Sequence, residues 1–274
     1  MKKFLILLSL ILIITIPFFL LTNLIFKNLE KKVGQKVEKK PLINVREGNR
    51  TKVKYPDDFT IVLVGDSMTE RLGNSDEIRA NLKEYYPDKS VEVLNYGFGS
   101  TNILSVEERL TEKTFYNREF RPILDIAFDI LILESFGNNP LSELSLEDGI
   151  KKQTEALDRI VELIKEGNPR AKLIFMATIA PNRSEFGKGV LDLSDKEREK
   201  WVKERVSYIQ NHIDYAKSHN IPLANAYEES LTKDGTGKEE YLSKDDFIHP
   251  SPKGVIFISK QIADFLYESK ILEK

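Results

Sequence analysis

From residue 59 onward the chain repeats one arrangement: a short, largely apolar run, then a longer stretch with helical spacing. The runs are FTIVLVG (59–65), VEVLN (91–95), DILILES (129–135) and AKLIFMA (171–177), with IPLANA (221–226) as a fifth. Runs that are apolar at consecutive positions are buried on both faces, and parallel strands covered by crossover helices meet that condition. The intervening helices are predicted over 76–86, 105–111, 146–164, 194–218 and 252–267. Ser194 stands three residues before Glu197, the spacing of a capping box, and Pro252 suits a first helical turn. The pattern therefore predicts an α/β domain with a mostly parallel sheet covered on both sides. Ligands of such sheets bind beyond the carboxyl ends of the strands, so the residues following each run are where chemistry is to be sought.

Ahead of this domain, residues 4–26 form an uncharged run of 23 residues flanked by Lys2, Lys3, Lys27, Lys31 and Lys32. As a helix it is long enough for a hydrocarbon core of about 30 Å. The first alanine is Ala80, so a small-residue cleavage site is lacking, and an uncleaved anchor is expected in preference to a cleaved signal peptide. The expected organisation is a transmembrane signal anchor at 1–27, a basic juxtamembrane stalk at 28–57 and a catalytic domain at 58–274. Composition narrows the chemistry further. Lys+Arg 41 against Asp+Glu 43 gives a net charge of −2, without the concentrated positive charge of a nucleic-acid binder, so no nucleic-acid partner is expected. The absence of cysteine excludes disulfides, cysteine nucleophiles and thiolate metal sites.

Four segments at or near predicted strand ends carry candidate chemistry. Gly65-Asp66-Ser67 follows the first strand; a serine at a tight strand-to-helix turn exposes its hydroxyl, although such a turn equally suits a helix cap. Asn95 to Asn102 holds Gly97 and Gly99, which permit close chain approach and a backbone N–H aimed at a pocket. Gly137-Asn138-Asn139-Pro140 offers uncharged amide donors, or else an ordinary turn. Asp245-Asp246-Phe247-Ile248-His249 supplies a base and an acid; of the three histidines, His212 and His219 fall in or near a predicted surface helix, leaving His249 as the general base with Asp246 to orient it.

Taken in order, Gly65-Asp66-Ser67, the glycine-rich turn at Gly97, Gly137-Asn138-Asn139 and Asp246-Phe247-Ile248-His249 resemble the sequence blocks of the SGNH/GDSL hydrolases. The resemblance runs from about residue 59 to the carboxyl end. It implies a three-layer α/β/α sandwich on a five-stranded sheet, with Ser67 as nucleophile, His249 as base and Asp246 as acid. It also implies an oxyanion hole from the Ser67 N–H, a backbone N–H at Gly99 or Ser100, and the Asn139 side chain. Two positions depart from the family pattern: Ser100 stands where many relatives have glycine, and Pro140 where an aspartate is common.

The function implied is hydrolysis of an O-acyl ester, on an envelope glycan, a polymer or a lipid, through an acyl-enzyme on Ser67. An O-acyltransferase using the same serine and a non-catalytic binding domain on the same fold are the alternatives. No cofactor or metal is expected. Lys2 and Lys3 favour an extracytoplasmic domain, whereas ten Lys or Arg against three Glu in 27–54 oppose it. The fit of the resemblance to envelope enzymes tips the expectation to a single-pass cell-membrane protein with its catalytic domain outside.

Overall fold

The computed structural model describes residues 58–273. In chain order its elements are β1 (Asp58–Gly65), α1 (Ser67–Glu70), α2 (Asp76–Tyr85), β2 (Ser90–Gly97), α3 (Val106–Thr111), β3 (Thr114–Tyr116), β4 (Arg118–Phe120), β5 (Ile130–Glu134), α4 (Leu146–Gly167), β6 (Lys172–Ala177), α5 (Asp195–Ser218), β7 (Leu223–Asn225), α6 (Ala226–Glu229) and α7 (Pro252–Glu268). Five strands form one sheet in the order β2-β1-β5-β6-β7, and every neighbouring pair is parallel. The α/β/α sandwich expected from the sequence is the fold observed.

Burial explains why these runs are strands. Along β1 alternate side chains enter opposite layers. Phe59, Ile61 and Leu63 pack with Ile78 and Leu82 of α2 and with Ile258, Ile262 and Leu266 of α7. Val62 and Val64 pack with Ala156, Leu157, Ile160 and Ile164 of α4 and with Tyr215 and Ala216 of α5. A strand with both faces covered loses the polar alternation that a one-sided sheet would show. The predicted capping box forms, with Ser194 Oγ accepting from Glu197 N and the Glu197 carboxylate accepting from Ser194 N. Such a cap contributes about 1 kcal/mol.

Strand order places the site. Because β1 connects onward to β2 on one side while its neighbour β5 connects onward to β6 on the other, the two connections run in opposite directions, and a crevice opens beyond the carboxyl ends of β1 and β5. Gly65 at the end of β1 pairs with Gly97 at the end of β2, and Val64 pairs with Leu133, one residue before the end of β5. The turns that follow all three strands thus emerge at one level. A Cβ on Gly97 would overlap the backbone of Thr69 and Glu70, so glycine there allows α1 to lie directly against β2.

Three expectations require correction. The hairpin β3-β4 was not predicted; its strands are three residues each, turning through Asn117 in the left-handed region, too short for an apolar period to register. His212 is not on a surface face: it is fully buried and stacked on Phe175 at 4.2 Å between ring centroids. The third concerns the transmembrane signal anchor. No helix among the described residues is long and apolar enough to cross a membrane; α4 and α5, at 22 and 24 residues, have the length but carry charged residues along one face. The expected 1–27 anchor and 28–57 stalk lie outside the described residues. The single-pass cell-membrane localisation, with its membrane partner and extracytoplasmic domain, is therefore withdrawn.

His212 gives the fold a pH dependence. Burial depresses its pKa to about 3, and the Leu133 backbone is the polar group nearest to offsetting this; neither ring nitrogen has a hydrogen bond of ordinary geometry among the described residues. An unfolded chain takes up the proton below about 6.5 and the folded one does not, so stability is complete above that value and is lost as the pH falls from it towards 3. We expect the wild type to lose about 2 kcal/mol from this group between about pH 7.5 and about pH 5. Urea unfolding at the two pH values should show that loss shrinking in His212→Phe, which keeps the ring stack and removes the titrating nitrogens.

Candidate active site

The turn after β1 is short because Asp66 caps α1 with its side chain: Oδ1 accepts from Met68 N at 2.8 Å. That leaves Ser67 as the first helical residue with its hydroxyl free of capping duty. The Ser67 Oγ lies 3.0 Å from His249 Nε2, and His249 Nδ1 lies 2.7 Å from Asp246 Oδ2. Three residues taken from the two ends of the domain therefore form one hydrogen-bonded chain.

The loop carrying the acid and the histidine is fixed by its own backbone. The other carboxylate oxygen of Asp246 accepts from Ile248 N and His249 N at 2.8 and 3.0 Å, with Phe247 in the left-handed region. Ser243 N donates to His249 O, and Ser251 caps α7 through Gly254 N. The segment that holds Gly189 runs alongside: a Cβ on Gly189 would lie 3.4 Å from Asp245 O. Partial burial pushes the Asp246 carboxyl upward, but hydrogen bonds from the His249 ring and from the Ile248 and His249 N–H groups outweigh it and hold the group below its ordinary value.

The residues expected at the oxyanion hole divide. Asn139 follows β5 in a turn closed by its own N–H to Phe136 O, and its Nδ2 donates to Asp66 Oδ2 at 2.8 Å. One of its two amide N–H bonds is thus used behind the nucleophile and the other remains. The Gly99 N–H is already engaged, donating to Tyr116 Oη at 2.9 Å, and that hydroxyl donates to Glu70 Oε1 at 3.0 Å. Ser100 adopts a φ of 58°, a conformation in which the glycine of many relatives is less strained. Among the described residues the Ser67 and Ser100 N–H groups donate to no other atom. No group of three or more His, Asp or Glu among the described residues could hold a metal ion.

Sequence reasoning missed two buried charged residues behind this turn. Arg109, 1% exposed, donates from Nη1 to Gly65 O and Tyr96 O at 2.8 and 3.0 Å, and from Nη2 to Ser105 Oγ and Thr101 Oγ1. Burial lowers its pKa to about 10, opposed by the Asp66 and Glu134 charges, so it remains a cation at neutral pH. Glu134 ends β5, fully buried, with Oε2 accepting from Asp66 N at 3.2 Å and Oε1 accepting from Ser135 Oγ and Phe136 N at 2.8 and 2.9 Å. The available signal was an ionisable residue in an otherwise apolar run, and an arginine between Val106 and Leu110 on the buried face of α3.

The depressed Asp246 makes a directional prediction. The unfolded chain binds this proton near the ordinary 3.8, the folded one only at lower pH; the stabilisation is present above that value and disappears as the pH falls through the native one. In Asp246→Asn the corresponding part of the acid limb should vanish, read as a shallower fall of thermal midpoint below about pH 4.

Comparison with known proteins bears on the same residues. Residues 63–255 match the model of the GDSL-like Lipase/Acylhydrolase family, a span that includes Ser67, Asn139, Asp246 and His249. No curated protein matches the chain in sequence. Among solved structures, one assigned as a lipolytic protein of the G-D-S-L family from Desulfitobacterium hafniense aligns over 76% of this chain and 99% of its own, at 20% identity and a TM-score of 0.52. One assigned as a GDSL-like lipase from Parabacteroides merdae aligns over 81% and 100%, at 16% identity and a TM-score of 0.59. One assigned as an acylhydrolase from Bacteroides fragilis aligns over 78% and 88%, at 15% identity and a TM-score of 0.52. At these identities the structures support the fold, and the family match carries the activity: the chain belongs to the GDSL-like lipase/acylhydrolase family and is a serine-hydrolase-type enzyme of the esterase and lipase kind.

Proposed function

We propose that residues 58–274 form a domain that hydrolyses O-acyl esters through an acyl-enzyme on Ser67. His249 takes the Ser67 proton as the oxygen attacks the acyl carbonyl, then returns it to the departing alcohol. Water repeats the cycle in reverse order to release the acid. Asp246 holds the imidazole in the tautomer whose Nε2 accepts, and its charge stabilises the imidazolium that forms. The observation that carries this reading is the unbroken chain from Ser67 Oγ to His249 Nε2 and from His249 Nδ1 to Asp246 Oδ2.

The negative charge on the tetrahedral intermediate is assigned to three donors: the Ser67 N–H, the Ser100 N–H and the second N–H of the Asn139 amide. Gly99 is left out because Tyr116 has taken its N–H. Pro140 follows Asn139 without disturbing the donor, since the bond that closes this turn comes from Asn139 N itself. An acid at position 140 is therefore dispensable to the chemistry proposed.

For the alcohol side of the ester we favour a hydroxyl-rich group such as a glycan. A groove where the end of α1 meets β2 and the β3-β4 hairpin is lined by Glu70, Asn95, Tyr116, Asn117 and Arg118, together with the apolar Leu94 and Phe120; the polar side chains hydrogen-bond sugars better than they bury hydrocarbon. Lipid esters and acyl transfer to a sugar hydroxyl are the competing outcomes, and product analysis separates them. An ester panel of acetylated glycans, short acyl esters and phospholipids, run with and without a sugar acceptor, should give free acid fastest from the first group. Acylated acceptor in place of free acid would mark a transferase.

Ser67→Ala should abolish acyl-enzyme formation with a serine-directed probe and reduce turnover by about 10⁴-fold or more. Asn139→Ala should lower kcat by about 10²-fold, the scale of a single lost oxyanion donor. Full turnover by a folded Ser67→Ala protein would end this reading.

A further inference from the structure

The β3-β4 hairpin turns much of its surface to solvent, with Phe115 80% exposed and Lys113 paired to Glu119 across it. One of its side chains nevertheless reaches the nucleophile turn. Tyr116 Oη accepts from Gly99 N at 2.9 Å and donates to Glu70 Oε1 at 3.0 Å. Gly99 immediately precedes Ser100, and Glu70 ends α1, the helix that Ser67 begins. We propose that Tyr116 is a positioning residue: its hydroxyl, held between the Gly99 N–H and the Glu70 carboxylate, fixes the turn after β2 against α1 and so aims the Ser100 N–H at the oxyanion beside Ser67. The proposal rests on the oxyanion role assigned to the Ser100 N–H above.

Geometry supplies the argument. A phenol has one hydrogen, and a backbone N–H can only donate to it, so the Tyr116 hydrogen points to Glu70 and an oxygen lone pair to Gly99. Each of the two bonds therefore has a single sense. The close approach depends on glycine: a Cβ at position 99 would lie 2.5 Å from Glu70 Oε2 and 2.8 Å from Tyr116 Oη. The ring is fixed too, stacked on Phe98 at 4.8 Å between centroids and 10° between planes. Phe120, on the other strand of the hairpin, meets Phe98 edge-on at 4.7 Å. Phe98 itself is tied to the nucleophile strand, its N–H donating to Gly65 O at 3.0 Å, and the Arg109 guanidinium lies 4.4 Å from its ring centroid.

This turn needs such a tether. It contains Gly97, Gly99 and a serine with φ of 58°, so its backbone has more conformations open to it than an ordinary turn. Asn139 is held from behind by Asp66, whereas the direction of the Ser100 N–H is set by the backbone around it. Once the Gly99 N–H is fixed, the two soft dihedrals of Gly99 alone separate it from the Ser100 N–H. A misplacement of about 1 Å at a reacting centre costs about 10²-fold. Tyr116 therefore controls the aim of a catalytic dipole through the residue before it, without touching the acyl carbon.

The test is made on the full chain with a short acyl ester, measuring kcat and KM for Tyr116→Phe, Glu70→Gln, Glu70→Met and the Tyr116→Phe/Glu70→Met pair. Hydrogen exchange of the Gly99 amide is followed by NMR with isotope-labelled glycine. Tyr116→Phe keeps the ring stack and should lower kcat by about 10-fold while KM stays within about 2-fold; Gly99 exchange should quicken by about 10-fold or more. Glu70→Gln keeps an acceptor for the hydroxyl and should stay within about 2-fold of wild-type kcat, whereas Glu70→Met should lose about 5-fold. The pair should be no more than about 2-fold worse than Tyr116→Phe, because both residues act through one chain. A loss confined to KM, a glutamine variant as poor as the methionine one, or multiplicative losses in the pair would each overturn the proposal. Unchanged Gly99 exchange in Tyr116→Phe would overturn it and leave the role of the Ser100 N–H standing. Faster exchange with wild-type kcat would overturn it by removing that role. Should Tyr116→Phe fail to fold by circular dichroism, Glu70→Met set against Glu70→Gln carries the test under the same criteria.

Discussion

Everything at the site depends on β1 being hydrogen-bonded to β2 on one side and β5 on the other. Parallel pairing with this register ends three strands side by side, so that the turns bearing Ser67, Ser100 and Asn139 leave the sheet from adjacent rows. The separation of such turns is set by strand spacing, about 5 Å per row, which is the scale on which an oxygen, its attacking hydroxyl and its hydrogen-bond donors must assemble. Sheet pairing thus performs most of the positioning before any side chain is chosen. The residues that follow then refine it by hydrogen bonds that run between turns and not only within them.

The strands were readable because both their faces are buried, which leaves apolar residues at consecutive positions, and the long helices because their caps are local. Ser67, Asn139, Asp246 and His249 were readable as candidates because a short motif beside a predicted strand end carries its own chemistry. What escaped depends on contacts between distant segments. Glu134 looks in sequence like the polar end of an apolar strand; only the approach of Asp66, 68 positions earlier, makes it part of a buried pair. The engagement of Gly99 by Tyr116 needed a hairpin of two three-residue strands that no periodicity reveals. His212 was misread because its charged neighbours on α5 suggest a solvated face, while the ring itself lies on the stripe with Tyr208, Ile209 and Ala216 that meets the core.

Three ionisable side chains packed behind one turn, Asp66, Glu134 and Arg109, are an uncommon way to fill a core. Burying a charge is costly unless it is paired and hydrogen-bonded, and a well-packed apolar substitute is often no less stable. Here the three supply partners to backbone at the strand ends: Arg109 donates to Tyr96 O and to Gly65 O, which also accepts from Phe98 N, and the carboxylates accept from the N–H groups of Asp66, Met68 and Phe136 in the turns. The cluster does for irregular backbone what the sheet does for regular backbone. It also excludes water from the rear of the nucleophile turn, which keeps the dipoles in front of it from being screened.

The distance in sequence between the two reacting groups, 182 positions, gives the protein a history as well as a geometry. Ser67 leaves the ribosome roughly 10 to 40 s before His249 at ordinary rates of elongation. Throughout that interval the nascent polypeptide has a hydroxyl no more reactive than any other serine. On the mechanism proposed above, hydrolysis requires the loop that carries Asp246 and His249 to reach Ser67, so copies that stop short of position 249 would be inert towards the esters around them.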